Sequence, residues 1–129
     1  MRNPWRLRGR GYGAHVTADD APEVSAEAGQ QMVEEGALLL DVREADEWDA
    51  GHAPDAVWIP MGELQARVDE LPRDRRIVAI CRTGARSGVV TGALVGAGYD
   101  AVNLEGGMRA WAAEDFAVVA SDGLPGVVI

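Results

Sequence analysis

Cys81 is the only cysteine in the 129-residue chain, and its two flanks differ sharply in kind. Ahead of it runs the apolar, β-branched stretch Ile77-Val78-Ala79-Ile80. Behind it come Arg82, Thr83, Gly84, Ala85, Arg86 and Ser87. This order predicts a strand over 76–80, a thiol-bearing loop, and a helix opened by Ser87. Unpaired backbone N–H groups and the positive end of the helix dipole then converge on the sulfur. Such a field lowers a thiol's pKa and makes it a nucleophile near neutral pH. A lone cysteine is by default a small, inert, buried hydrophobe. The position at a strand end beside Arg82 favours the reactive reading. With no second cysteine, there is no internal disulfide, and an intermediate on Cys81 must be resolved by another molecule.

The two arginines of the loop are read differently. A positive charge at a helix N-terminus is unfavourable unless an anion balances it, so Arg86 is a candidate anion binder. Arg82 is divided evenly between that role and solvent or acidic neighbours. Gly84 is expected to give the loop a positive φ without strain. Asp41 and Arg43 end another strand and are expected to form a hydrogen-bonded scaffold beside the loop. Gly106 and Gly107 are expected to let backbone approach the loop closely. His52 invites a Cys–His dyad, but its place between Gly51 and Pro54 favours a structural bond to backbone. Trp48, Trp58 and Trp111 read as core or pocket-wall residues.

The elements that position these residues follow from punctuation and periodicity. An edge strand is expected over 22–24, then a helix capped by Ser25 that stops at Gly36. The nearly continuous apolar run 37–42 has the pattern of a strand buried on both faces. A short acidic helix over 44–50 ends at Gly51, and a strand over 57–59 is stopped by Pro60. Leu64, Val68 and Leu71 mark a helix over 62–71, closed by Pro72. After the cysteine loop, a helix over 87–97 ends at Gly98. A buried strand over 101–104 and a short helix over 108–114 follow. The apolar tail 116–129 is expected to pack back on the body. Strands alternating with helices imply an α/β fold: a parallel sheet of about five strands with helices on both faces. Sites in such sheets lie at the carboxyl ends of strands, where Cys81, Asp41 and Arg43 fall.

Composition bounds the partners. At this length one domain can bury about two-thirds of its unfolded surface. The division expected is a flexible arm over 1–20 and a folded domain over 21–129. The net charge is −9, yet residues 1–18 hold four arginines and no acid, leaving 8 arginines and 21 acids in the rest. An acidic body argues against nucleic-acid binding, which needs a basic face. No apolar run approaches the roughly 20 residues of a membrane span. The start lacks the apolar stretch of a secretory signal, so a cytoplasmic location is expected.

Three blocks together resemble the single-domain rhodanese, or thiosulfate sulfurtransferase, family. The first is Asp41-Val42-Arg43-Glu44, continuing through Glu47-Trp48 and Gly51-His52-Ala53-Pro54-Asp55-Ala56 to Ile59-Pro60. The second is Cys81-Arg82-Thr83-Gly84-Ala85-Arg86. The third is Leu104-Glu105-Gly106-Gly107-Met108 with Trp111. They occupy residues 41–111 in the family's order. The resemblance implies that Cys81 takes the outer sulfur of a donor such as thiosulfate as a persulfide. An acceptor, cyanide or a thiol, then removes it. It also implies that Arg82, Thr83, Gly84, Ala85, Arg86 and Ser87 cradle the donor and persulfide, with Asp41, Arg43, Gly106 and Gly107 in support. No metal and no organic cofactor are called for; the partners are a small anionic sulfur donor and a small or protein acceptor. The family pattern is broken after the last helix, where Glu114-Asp115-Phe116-Ala117 replaces Ala-Gly-Leu-Pro and the Gly-Leu-Pro appears at Gly123-Leu124-Pro125.

Other readings differ in kind. A Cys-dependent phosphatase or arsenate reductase of Cys-X5-Arg type would need arginine where Ser87 stands. A non-catalytic binding module on the same fold would have no use for the cysteine loop. A persulfide carrier serving a dedicated partner would keep that loop and is not separable from a free enzyme by sequence.

Overall fold

The computed structural model describes residues 21–129; the arm expected over 1–20 lies outside the described residues. The chain runs β1 (Glu23–Val24), α1 (Ala26–Glu34), β2 (Leu38–Asp41), α2 (Ala45–Ala50) and β3 (Val57–Trp58). It continues through α3 (Met61–Arg67), a 3₁₀ turn (Val68–Glu70), β4 (Ile77–Ile80), α4 (Ala85–Gly96), β5 (Ala101–Leu104) and α5 (Gly107–Ala113). The five strands form one parallel sheet in the order β1-β5-β4-β2-β3. The expected α/β architecture is therefore present, with β4 at its centre.

Both faces of the sheet are covered, as the unbroken apolar strands require. One face packs Leu40, Ile77 and Ala101 with Leu64, Val90 and Leu94 from α3 and α4. The other packs Leu39, Val78, Ile80, Val102 and Leu104 with Ala26 from α1 and Met108 and Trp111 from α5. The alternation of neighbours between the two clusters is the two-residue period of a strand. Every residue of β4 and β5 is buried.

Local signals explain most boundaries. Ser25 caps α1, its Oγ accepting the N–H of Ala28 at 3.1 Å. At the start of α2, Glu44 N donates to Glu47 Oε1 at 3.0 Å, half of a capping box. The single helix expected over 62–71 breaks in two: α3 ends at Arg67 and the next turn tightens to 3₁₀. The cause is Pro72, which pushes Leu71 into extended backbone (ψ 141°) and leaves no room to continue. The helix expected to open at Ser87 begins two residues earlier, capped by Gly84 at φ 105°. Ser87 thus lies inside the first turn of α4, with its hydroxyl turned to another purpose.

The tail packs back as expected. His52 and Val119 exchange N–H···O bonds at 2.9 Å each, and Val127 N donates to Ala50 O at 2.9 Å. Where the family pattern is broken, α5 closes on Asp115, the one non-glycine residue with positive φ (61°) among those described. Aspartate tolerates this left-handed conformation better than most side chains. Phe116 then stacks edge-on against Trp111, with ring centroids 5.1 Å apart.

Candidate active site

The sheet register brings the site together. Asp41 on β2 stands opposite Ile80 on β4, and Asn103 on β5 stands opposite Ala79. Cys81, the next residue after β4, therefore emerges between β2 and β5 at their carboxyl ends. It is 1% exposed and belongs to the apolar cluster that includes Val42, Ile59 and Val90.

The loop after Cys81 is turned so that its carbonyls face away from the sulfur. Cys81 O accepts the N–H of Met108 at 2.7 Å and Arg82 O that of Arg109 at 3.0 Å. These are unpaired amides of the first turn of α5. Gly107 permits the approach: a Cβ there would sit 2.6 Å from Arg82 O, and its φ of 58° also favours glycine. Gly84, at φ 105°, faces Gly106 N in the same way, so the expected close approach of Gly106-Gly107 to the loop is present.

With the carbonyls held outward, donors converge on the sulfur. Gly84 N donates to Cys81 Sγ at 3.1 Å, and Ser87 Oγ lies 3.2 Å from it. Burial by itself raises the thiol's pKa. Hydrogen bonds from the Ser87 hydroxyl and from the amides of Ser87, Gly84 and Thr83 outweigh it and bring the pKa below the ordinary value. The sulfur is thus an ionisable thiol under a loop whose crest, Thr83 and Ala85, is exposed.

Both loop arginines are engaged with protein oxygens. Arg86 grips Glu47 with Nη1 on Oε1 and Nη2 on Oε2, each at 2.8 Å. That pair lowers the Glu47 pKa to about 2 and raises that of Arg86. Arg82 Nε donates to Ile129 O at 2.8 Å. The expected anion binder therefore already holds an anion, one supplied by α2.

Asp41 and Arg43 form the expected scaffold, both with side chains fully buried and joined at 2.8 Å. Arg43 also donates to Glu47 O at 3.3 Å and Gly51 O at 2.8 Å, tying α2 to β2. No buried side-chain polar atom among the described residues lacks a partner, so this ion pair meets the condition under which burial of charge is tolerated. His52 is not directed at the thiol: Nδ1 lies 2.7 Å from Trp48 O, and the ring stacks on Trp48 with centroids 3.6 Å apart.

Three contributors escaped the sequence reading of the site. Asn103 accepts from Ser87 Oγ at 2.6 Å and donates from Nδ2 to Gly84 O and Glu23 Oε2, each at 3.0 Å. It thereby holds Ser87 against the sulfur. Its signal was a lone amide inside the apolar strand Ala-Val-Asn-Leu. Glu47 stood only as a member of the first block, and Glu23 carried no comparable signal, because acids are common throughout this chain.

A parallel sheet with a polarised cysteine loop between β4 and α4 defines an α/β domain built around one thiol. The family model described as a Rhodanese-like domain matches residues 25–114, and the chain belongs to that family. It is 42% identical over 90 residues to a protein named sulfurtransferase from Allochromatium vinosum, covering 69% of this chain and 84% of that one. YrkF of Bacillus subtilis, a candidate sulfur carrier by its name, is 38% identical over 108 residues, 81% of this chain; the match spans 58% of that protein's length. The crystal structure of a rhodanese-related protein from Thermoplasma volcanium matches with a TM-score of 0.72 at 31% identity, covering 76% of this chain and 97% of that one. Relatives named for sulfur transfer support a sulfur-transfer role for this chain.

Proposed function

We propose that the chain transfers sulfane sulfur from thiosulfate or a similar donor to a thiol or cyanide through a persulfide on Cys81. The observation that carries this reading is the convergence of Gly84 N and Ser87 Oγ on a buried sulfur with a lowered pKa. The Cys81 thiolate attacks the donor's outer sulfur. The donor's S–S bond breaks, and sulfite leaves with the bonding pair when thiosulfate is the donor. The new outer sulfur carries the negative charge, and the loop amides from Arg82 to Ser87 stabilise it. A well-placed donor of this kind contributes ~3 kcal/mol to a developing charge. An acceptor nucleophile then attacks the outer sulfur and frees the Cys81 thiolate.

In this reading Arg82 and Arg86 border the donor's path past the exposed Thr83 and Ala85. Asp41, Arg43, Gly106 and Gly107 act by fixing the loop. A second reading, a persulfide carrier that serves one protein partner, is favoured by the likeness to YrkF. Thiocyanate formation from thiosulfate and cyanide tests the first reading: turnover is expected from the wild type and none from Cys81→Ser. Equal turnover by the two proteins would remove Cys81 from the chemistry. Sulfur loading with slow release to every small acceptor would favour the carrier.

A further inference from the structure

The cysteine loop offers its sulfur several neutral donors, and of its two cations Arg86 has its charge balanced by a carboxylate. Both terminal nitrogens of Arg86 that face Glu47 are spent on the two oxygens of one carboxylate, the geometry in which a guanidinium binds an anion most selectively. The pair is sheltered, with side chains 35% exposed for Arg86 and 12% for Glu47. Glu47 is itself fixed, since its Oε1 also accepts Glu44 N at 3.0 Å and its carbonyl accepts from Arg43. Arg82 gives its Nε to Ile129 O. Around this site the body is acidic: residues 21–129 hold 8 arginines against 19 acids. A doubly charged donor therefore approaches through a repulsive field. At Arg86 it also meets a guanidinium whose charge a resident carboxylate already balances.

We infer that Glu47 is a specificity-determining residue: by occupying Arg86 it turns the cysteine site against doubly charged sulfur donors and toward singly charged ones. The inference deepens the sulfur-transfer reading and rests on it. The loop amides and the Ser87 hydroxyl suffice for a single negative charge on sulfur. A second charge on the donor gains from the positive charge of Arg86, which Glu47 already balances.

Thiosulfate and methanethiosulfonate separate the two demands. In each, the Cys81 thiolate forms a bond to the outer sulfur while the donor's S–S bond breaks. Sulfite leaves from the first and methanesulfinate from the second, each with the bonding pair. The same persulfide anion remains on Cys81 and nothing else is oxidised or reduced. The donors differ by one unit of charge, so a change in their ratio between variants cancels intrinsic reactivity.

The test is kcat/KM for both donors, with cyanide as acceptor, in the wild type, Glu47→Gln, Arg86→Gln and the double variant. Glu47→Gln is expected to raise the thiosulfate to methanethiosulfonate ratio roughly tenfold, through KM, as one unit charge a few ångströms away should. The rise should vanish when Arg86→Gln is added. An unchanged ratio overturns the inference, as does a rise that persists without Arg86, which would mean simple repulsion. Should Glu47→Gln fail to fold, competition on the wild type decides. Sulfate is expected to inhibit no more tightly than methanesulfonate, and tighter inhibition by sulfate overturns the inference. Turnover with an unmoved ratio sinks this inference alone. No Cys81-dependent turnover of either donor removes the sulfur-transfer reading and this inference together.

Discussion

At the scale of single residues, one sulfur is surrounded by donors, the Gly84 amide and the Ser87 hydroxyl among them. Ser87 has one hydroxyl proton and two neighbours, Cys81 Sγ at 3.2 Å and Asn103 Oδ1 at 2.6 Å. Its donation to the thiolate helps hold the Cys81 pKa below the ordinary value, so thiolate is present at lower pH than in a free cysteine. Ser87→Ala is expected to move the pH profile of Cys81 alkylation to higher pH. It should also slow sulfur uptake about tenfold, the worth of one hydrogen bond to a charged group. An unmoved profile would assign the pKa to the amides alone. Glu47 gives a second prediction at this scale. Its pKa falls from 4.5 to about 2 through Arg86, so its stabilising contribution is complete above pH 4.5 and disappears as pH falls toward about 2. With Arg86 about a third exposed, that contribution is on the order of 2 kcal/mol. Urea midpoints for Glu47→Gln should be lower at neutral pH and should lose this part of the acid dependence.

At the scale of elements, the cysteine loop is shaped by the helix that follows β5. The first turn of α5 donates the amides of Met108 and Arg109 to the carbonyls of Cys81 and Arg82, which leaves the loop's amides free to face the sulfur. Gly107 makes the contact possible. Gly107→Ala combines a left-handed side chain with a Cβ 2.6 Å from Arg82 O, and should cost roughly 2–4 kcal/mol while cutting activity far more. Stability measured by urea unfolding, beside turnover, checks the split; loss of stability with full turnover would free the loop from α5. The sequence made this element legible only in outline. The Gly106-Gly107 pair announced a close approach, and the apolar runs announced the strands. The opening of α4 was misjudged because a serine before a helical run reads as a cap. Gly84 took that position, since a positive φ was needed for the loop to turn. What Ser87 does instead depends on Asn103, sixteen positions away, and no local pattern states that contact.

At the scale of the whole molecule, the tail and α2 complete the walls around the loop. Arg43 donates to Gly51 O, Val127 N to Ala50 O, and Arg82 to Ile129 O. The tail's packing was foreseen from its apolar character, but its route was not, because it depends on single bridges such as His52 with Val119. Gly51 sits where tail and α2 touch; its backbone is extended, so only space forbids a side chain. A Cβ there would lie 2.7 Å from Val127 N and 2.8 Å from Val118 Cγ1. Gly51→Ala is expected to release the tail, costing roughly 1–3 kcal/mol and opening residues 118–129 to proteolysis. An unchanged melting temperature and digestion pattern would show that the tail carries no such load. No helix among the described residues is long and apolar enough to cross a membrane.

The account rests on a persulfide forming at Cys81, and that bond is directly weighable. The protein would be incubated with a sulfane-sulfur donor without acceptor, desalted, and its intact mass recorded beside that of Cys81→Ser. One added sulfur atom on the wild type, lost on addition of cyanide and absent from the variant, is the result predicted. An unloaded wild type, or an equal gain by Cys81→Ser, would contradict it.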